Sequence, residues 1–193
     1  MSTYHKTKEQ IEAEYELIRR AQANPERFGP LYERYYKPIF VFIYRRVDDE
    51  DITADLTSLT FIKTMNSLPK FEFRGLPFSA WLYRIASNEV NLYFRQSNKE
   101  RSISIDDEGL DRLENGLHEE MQLDLDKNND EELLLSCMHE LSADDVAYIE
   151  LRFFEDRAFK EIAEIMGITE NNAKVKTYRI LDKLKNVFLQ KRK

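Results

Sequence analysis

The sequence predicts an all-α protein: two small helical domains joined by an acidic linker, the C-terminal one a helix-turn-helix. Three observations carry that prediction. Apolar residues recur at three- and four-residue spacing along most of the 193 residues, the period of an amphipathic helix. Only five Gly and five Pro occur, too few for the turns of an all-β fold. Residues 99–130 break the helical pattern. They are acidic and hold no aromatic residue, a linker composition.

The elements follow in order. Residues 11–23 carry apolar side chains at 11, 15, 17, 18 and 21, roughly one helical face. Residues 31–47 (LYERYYKPIFVFIYRRV) form an aromatic-rich helix in which Pro38 marks a break or kink. Residues 51–68 and 78–96 are two further helices. The segment between them, PKFEFRGLP, is bounded by prolines and is a loop. After the linker, helical pattern resumes at 131–140, and Ser142 is an N-cap for the run beginning ADDVAYIELRFF. Two short helices follow, the first at 159–166. The domains are therefore 1–98, a flexible linker 99–130, and 131–193.

Charge is unevenly placed. The chain holds 29 basic and 36 acidic side chains, net −7. Residues 99–139 alone hold four basic and 13 acidic residues, more than the whole net charge. Residues 174–193 hold eight basic residues and one acid, Asp182, a local electrostatic footprint for phosphate. No run approaches the roughly 18 apolar residues of a membrane span. The opening MSTYHKTKEQ lacks the apolar core of a signal peptide. Cys137 is the only cysteine, so an internal disulfide is impossible. No membrane insertion is expected, and a cytoplasmic location is.

The stretch FKEIAEIMGITENNAKVKTYRILDKLKNVF is the most informative. Ile162, Ala163 and Met166 face inward from one short helix, Gly167 suits a turn of positive φ, and Ile168 fills the corner. Thr169 caps the next helix, whose apolar or small residues at 173, 177, 180, 184 and 187 form one buried stripe. Asn171, Asn172, Lys174, Val175, Tyr178 and Arg179 lie off that stripe. Early residues of such a second helix meet base edges in duplex DNA, and its cations meet phosphates. A plain helical interaction domain is the competing reading.

The first domain points to a different nucleic-acid geometry. FEFRGLPFSAWLYRIASNEVNLYFRQSNKER interleaves seven aromatic residues with cations including Arg74, Arg95, Lys99 and Arg101. Aromatics among cations suit unstacked single-stranded bases. Trp81, Tyr83 and Phe94 read as core, whereas the loop residues Phe71 and Phe73 are the candidates for stacking.

DLTSLTFIKTMNSLPKF (55–71), FSAWLYRIASN (78–88) and FKEIAEIMGITENNAKVKTYR (159–179) occur in order on both domains. Through them the chain resembles the sigma-70 family of RNA polymerase sigma factors, of the small extracytoplasmic-function (ECF) type. The resemblance covers essentially residues 15–190. It implies a chain that binds core RNA polymerase and directs it to promoter DNA, with an anti-sigma factor as a further candidate partner. By it, Asp55, Ser58, Leu59, Phe61 and Ile62 lie on the helix that binds the polymerase clamp. Ser67, Phe71 or Phe73, Arg74, Asn88 and Arg95 serve the minus-10 element, Asn88 lining a pocket for a flipped-out base. Asn171, Asn172, Lys174, Val175, Lys176, Tyr178 and Arg179 read the minus-35 element as duplex. The acidic linker resembles one that threads the polymerase near the RNA path. Departures exist: Ser58-Leu59 stands where the family usually has Gln-Glu, the 69–78 loop differs in length from many relatives, and Thr177 replaces a usual apolar residue.

Enzymatic function is not expected. A phosphate loop is missing, and His5, His118 and His139 are scattered, while Cys137 beside His139 supplies only two ligands, too few for zinc. Neither cofactor, metal nor small-molecule substrate is implied. A stand-alone helix-turn-helix regulator of duplex operators is the alternative function.

Overall fold

A computed structural model describes residues 8–97, 107–123, 125 and 130–192, and among them every regular element is helical. The chain divides into two units, one within His5–Ser104 and the other within residues 105–193.

The N-terminal unit contains α1 (Lys8–Ala23), α2 (Gly29–Val47), α3 (Glu50–Ser67) and α4 (Phe78–Ser97). At the first corner the Asn24 side chain accepts from the Glu26 N–H at 3.0 Å, ahead of a 3-10 turn opened by Pro25. Pro38 does not break α2, which runs unbroken to Asp48, a left-handed residue with φ of 51°. Asp49 then caps α3, accepting from the Ile52 N–H at 3.0 Å. Leu31, Ile39, Phe42, Ile43, Leu82 and Tyr83 form the solvent-free centre. Among them sits one buried carboxylate, Glu14. It accepts from the Tyr35 hydroxyl, from Arg34 and from the Phe78 N–H at the start of α4. A carboxylate at a helix N-terminus meets the positive end of the helix dipole as well as unpaired N–H groups.

α3 buries an unexpected face. Thr53, Thr57, Thr60 and Thr64 are all inside. Three of them donate back to the carbonyl four residues earlier: Thr53 to Asp49, Thr60 to Leu56 and Thr64 to Thr60, at 2.6–2.8 Å. Satisfied this way, a threonine packs as a β-branched apolar residue. The apolar Leu59, Ile62 and Met65 point outward instead.

The C-terminal unit contains α5 (Asp107–Met121), α6 (Glu131–His139), α7 (Ala143–Ile149), α8 (Phe159–Met166) and α9 (Glu170–Lys191). Ser142 caps α7, its hydroxyl accepting from the Asp145 N–H at 3.2 Å, and α7 continues into a π-helical turn, Glu150–Phe154. The final helix is 22 residues long rather than short.

Residues 99–130, expected to be a flexible tether, contain α5. Leu110, Leu113 and Leu117 make one buried face of it, and Leu123 follows beneath. Arg112 donates to the carbonyls of Phe153 and Phe154, and the Lys185 ammonium donates to that of Met121 at 2.6 Å. Gly116 allows the close approach, since a Cβ there would lie 2.3 Å from the Phe153 ring. The proposed boundary at 98/99, Lys99, Arg101, residues 124 and 126–129, and Lys193 lie outside the described residues.

Candidate nucleic-acid and partner interfaces

The turn between α8 and α9 has the expected construction. Gly167 sits at φ 68°, and both its N–H and that of Ile168 bond to the Ala163 carbonyl. Thr169 accepts from the Asn172 N–H at 3.3 Å, capping α9. Ala173, Thr177, Ile180, Leu181, Leu184 and Phe188 are buried. The buried stripe ends on Phe188 rather than the expected Val187, because a strict four-three spacing drifts against the 3.6-residue turn. Thr177 fits an apolar position by donating to the Ala173 carbonyl at 2.8 Å.

Of the seven residues expected to read duplex DNA, six are exposed and Tyr178 is half-buried, and they face different ways. Asn171, Val175 (49% exposed) and Arg179 lie on the outward line of α9, with Asn172 beside them. Lys174 reaches over the Tyr178 ring at 5.9 Å. Lys176 folds the other way, 4.5 Å over the Tyr148 ring. Tyr178 leans toward Phe159, 5.9 Å between centroids, with Glu120 of α5 close enough to act on it electrostatically. Burial, then the Glu120 charge, push the Tyr178 phenol above its usual range. A cleft of about 200 Å³ opens here between Arg112, Glu119, Arg152 and Tyr178.

In the N-terminal unit, residues 71–74 alternate in exposure: Phe71 and Phe73 are half-buried, Glu72 and Arg74 exposed. Phe71 lies against Trp81 and Phe78, with centroids 4.8 and 5.6 Å away. Phe73 stacks on Tyr15 of α1 at 4.4 Å. Arg74 is 4.0 Å from Glu72. Ser67 is exposed at the end of α3, and Gly75 turns the loop at φ 72°. Asn88 and Arg95 are exposed on α4. Asn88 stands two turns beyond Trp81 on the same side, about 10 Å along the axis. Its neighbour Glu89 is buried and pairs with Lys63 of α3 at 2.7 Å.

On α3, Asp55, Ser58, Leu59 (44%) and Ile62 (54%) are exposed together. Phe61 is a correction. Expected on the clamp face, it is 3% exposed and sits among Phe28, Tyr32 and Tyr36. One residue along a helix is a 100° rotation, so Phe61 and Ile62 cannot share a face. Two surface features were missed. Met65 extends the exposed apolar stripe of α3. Tyr32, Tyr36, Phe40 and Tyr44 form a ladder along α2, with ring centroids 5.3, 6.0 and 6.4 Å apart. The four-residue spacing of these rings in LYERYYKPIFVFIY is the signal that marks them.

Cys137 is buried, and desolvation raises its thiol pKa, whereas His139 is exposed, so the two diverge. Among the described residues no cluster of three His, Cys, Asp or Glu could hold a metal, and no helix is long and apolar enough to cross a membrane.

The family profile described as Sigma-70 region 2 matches residues 31–100, and that described as Sigma-70, region 4 matches residues 131–184. The ECF RNA polymerase sigma factor BldN of Streptomyces coelicolor is 31% identical over 165 residues, 85% of this chain, which spans only 61% of BldN. The RNA polymerase sigma factor YlaC of Bacillus subtilis is 28% identical over 138 residues, 71% of this chain and 78% of YlaC. The solved structure of CnrH in complex with the cytosolic domain of CnrY covers 89% of this chain and 94% of that one. Its TM-score is 0.58 at 18% identity, a likeness of fold.

Proposed function

The chain belongs to the sigma-70 family of RNA polymerase sigma factors, in its ECF branch, and from that premise we propose that it binds core RNA polymerase and directs promoter-specific initiation. The observation that carries this reading is the pairing of two DNA-facing surfaces of different kinds in one chain. α9 offers a polar, basic helix face suited to duplex major groove. The 68–78 loop with α4 offers aromatic rings and the Asn88 amide, suited to an unstacked base.

In this mechanism α9 docks first, Lys174 and Arg179 contacting phosphates and Asn171, Asn172 and Val175 facing base edges. Lys176 and Tyr178 support the flanks. The exposed apolar stripe Leu59, Ile62 and Met65, bordered by Asp55 and Ser58, takes the polymerase clamp. The exposed rings of Tyr32 and Tyr44 on α2 add further apolar surface in the same unit. Strand opening then exposes a non-template base to the loop, where Phe71 or Phe73 stacks and Asn88 hydrogen-bonds its edge. Ser67, Arg74 and Arg95 hold the adjoining backbone. The role is non-catalytic, the polymerase supplying the chemistry. Its place of action is the cytoplasm with core enzyme, and the family adds an anti-sigma factor to the proposed partners.

The test is run-off transcription by purified core enzyme on a pool of duplex templates of randomised upstream sequence. Transcripts should become sequence-selective only when this chain is added. An unchanged transcript pool contradicts the reading.

A further inference from the structure

We propose that α1 is a positioning element for the base pocket, and that Gln22 sets base selectivity there without touching DNA. The inference rests on the base-pocket role proposed above for the 68–78 loop. α1 precedes the segment matched as region 2, and its inward face meets that loop at three points.

At the loop entry, the Gln22 side-chain amide donates to the carbonyls of Leu68 and Phe71, both at 2.9 Å. An amide nitrogen has two hydrogens, and both are used. They bracket the 3-10 turn Leu68–Lys70, where the end of α3 leaves carbonyls in need of donors. Phe71 is thereby fixed at its backbone, which decides where its ring rests on Trp81. In the middle of the loop, Tyr15 stacks on Phe73 with planes 22° apart. At the exit, Glu14 accepts from the Phe78 N–H at 3.2 Å. Tyr15 and Gln22 lie on one side of α1, since seven residues are nearly two turns, and buried Glu14 projects about a quarter-turn round from them. One rigid helix therefore holds both ends of an irregular loop and one of its rings. A pocket distinguishes bases only if its walls stay put while the strand enters, so the element that fixes the walls tunes selectivity.

Gln22→Met keeps the length and the apolar stem but removes both donors. Gln22→Glu keeps the shape and sets a carboxylate against two carbonyls. Holoenzymes carrying each variant would be assayed for initiation on premelted templates, with each of the four bases placed in turn at each unpaired non-template position. The proposal expects both variants to lose several-fold discrimination at the position where wild type discriminates most, while affinity for core enzyme stays within about twofold. Tyr15→Ala should shift the preference and Tyr15→Phe should restore it. A role in folding alone would scale activity at all bases equally and leave the preference pattern intact, which would overturn the proposal. A wild-type enzyme with no base preference on premelted DNA would overturn the pocket reading itself, and the inference with it.

Discussion

Phe61 and Ile62 are neighbours in sequence and opposites in burial, and the difference is one of rotation around α3. Phe61→Ala should destabilise the N-terminal unit by about 3–5 kcal/mol, the range for a buried ring, as measured by denaturant melting. Leu59→Arg, at an exposed position, should leave the melt unchanged and weaken co-purification with core polymerase. A variant that still co-purifies at wild-type levels moves the clamp interface off this stripe. Thr57 supplies a sharper stability test. Its buried hydroxyl has no hydrogen-bond partner, unlike those of Thr53, Thr60 and Thr64. Thr57→Val removes an unsatisfied group at nearly constant shape and should stabilise the unit by about 1 kcal/mol. On α9, Lys174→Ala with Arg179→Ala should abolish promoter-specific transcription and spare core binding. Each lost phosphate contact should reduce the slope of log affinity against log salt by about 0.9. The buried stripe of α9 was legible because small and apolar residues recur along it, with Thr177 the one polar side chain inside. α3 was not, because its buried face is written in threonines and its exposed face in leucine, isoleucine and methionine.

Among elements, α5 is where composition misled. Its 15 residues hold six acids and one arginine, which reads as solvated linker. The three leucines at 110, 113 and 117 are a helical face, but a short one, and its docking depends on Gly116 beneath the Phe153 ring, a contact no local pattern announces. Gly116→Leu should undock α5. Amides of residues 107–121 should then exchange hydrogen orders of magnitude faster, while those of α8 and α9 keep most of their protection. Equal loss of protection in all three helices would make α5 part of the same cooperative unit as the helix-turn-helix. The helices on either side were legible from period and caps: Ser142, Gly167 and Thr169 each do at the backbone what their residue type suggests. The aromatic loop was legible as a loop, but not the helix that holds it. The Gln22 contacts span 46 and 49 residues, and such pairing leaves no trace in local sequence.

For the molecule as a whole, the net charge of −7 conceals a terminal stretch with eight cations and one acid. The global value governs solubility, while the local one governs where phosphate is welcome. The sigma reading assigns the two units complementary tasks that neither performs alone: duplex docking by one, and polymerase binding with base capture by the other. A stand-alone regulator would bind duplex DNA without polymerase and would leave the strands paired. The deciding measurement is therefore fluorescence of 2-aminopurine placed in the minus-10 region of a duplex promoter enriched by the reconstituted holoenzyme. It would be read with core enzyme alone, with this chain alone, and with both. The account predicts a rise only with both, because opening needs the clamp-bound chain. Tight binding of the duplex by the chain alone, with no rise when core enzyme is added, would contradict it.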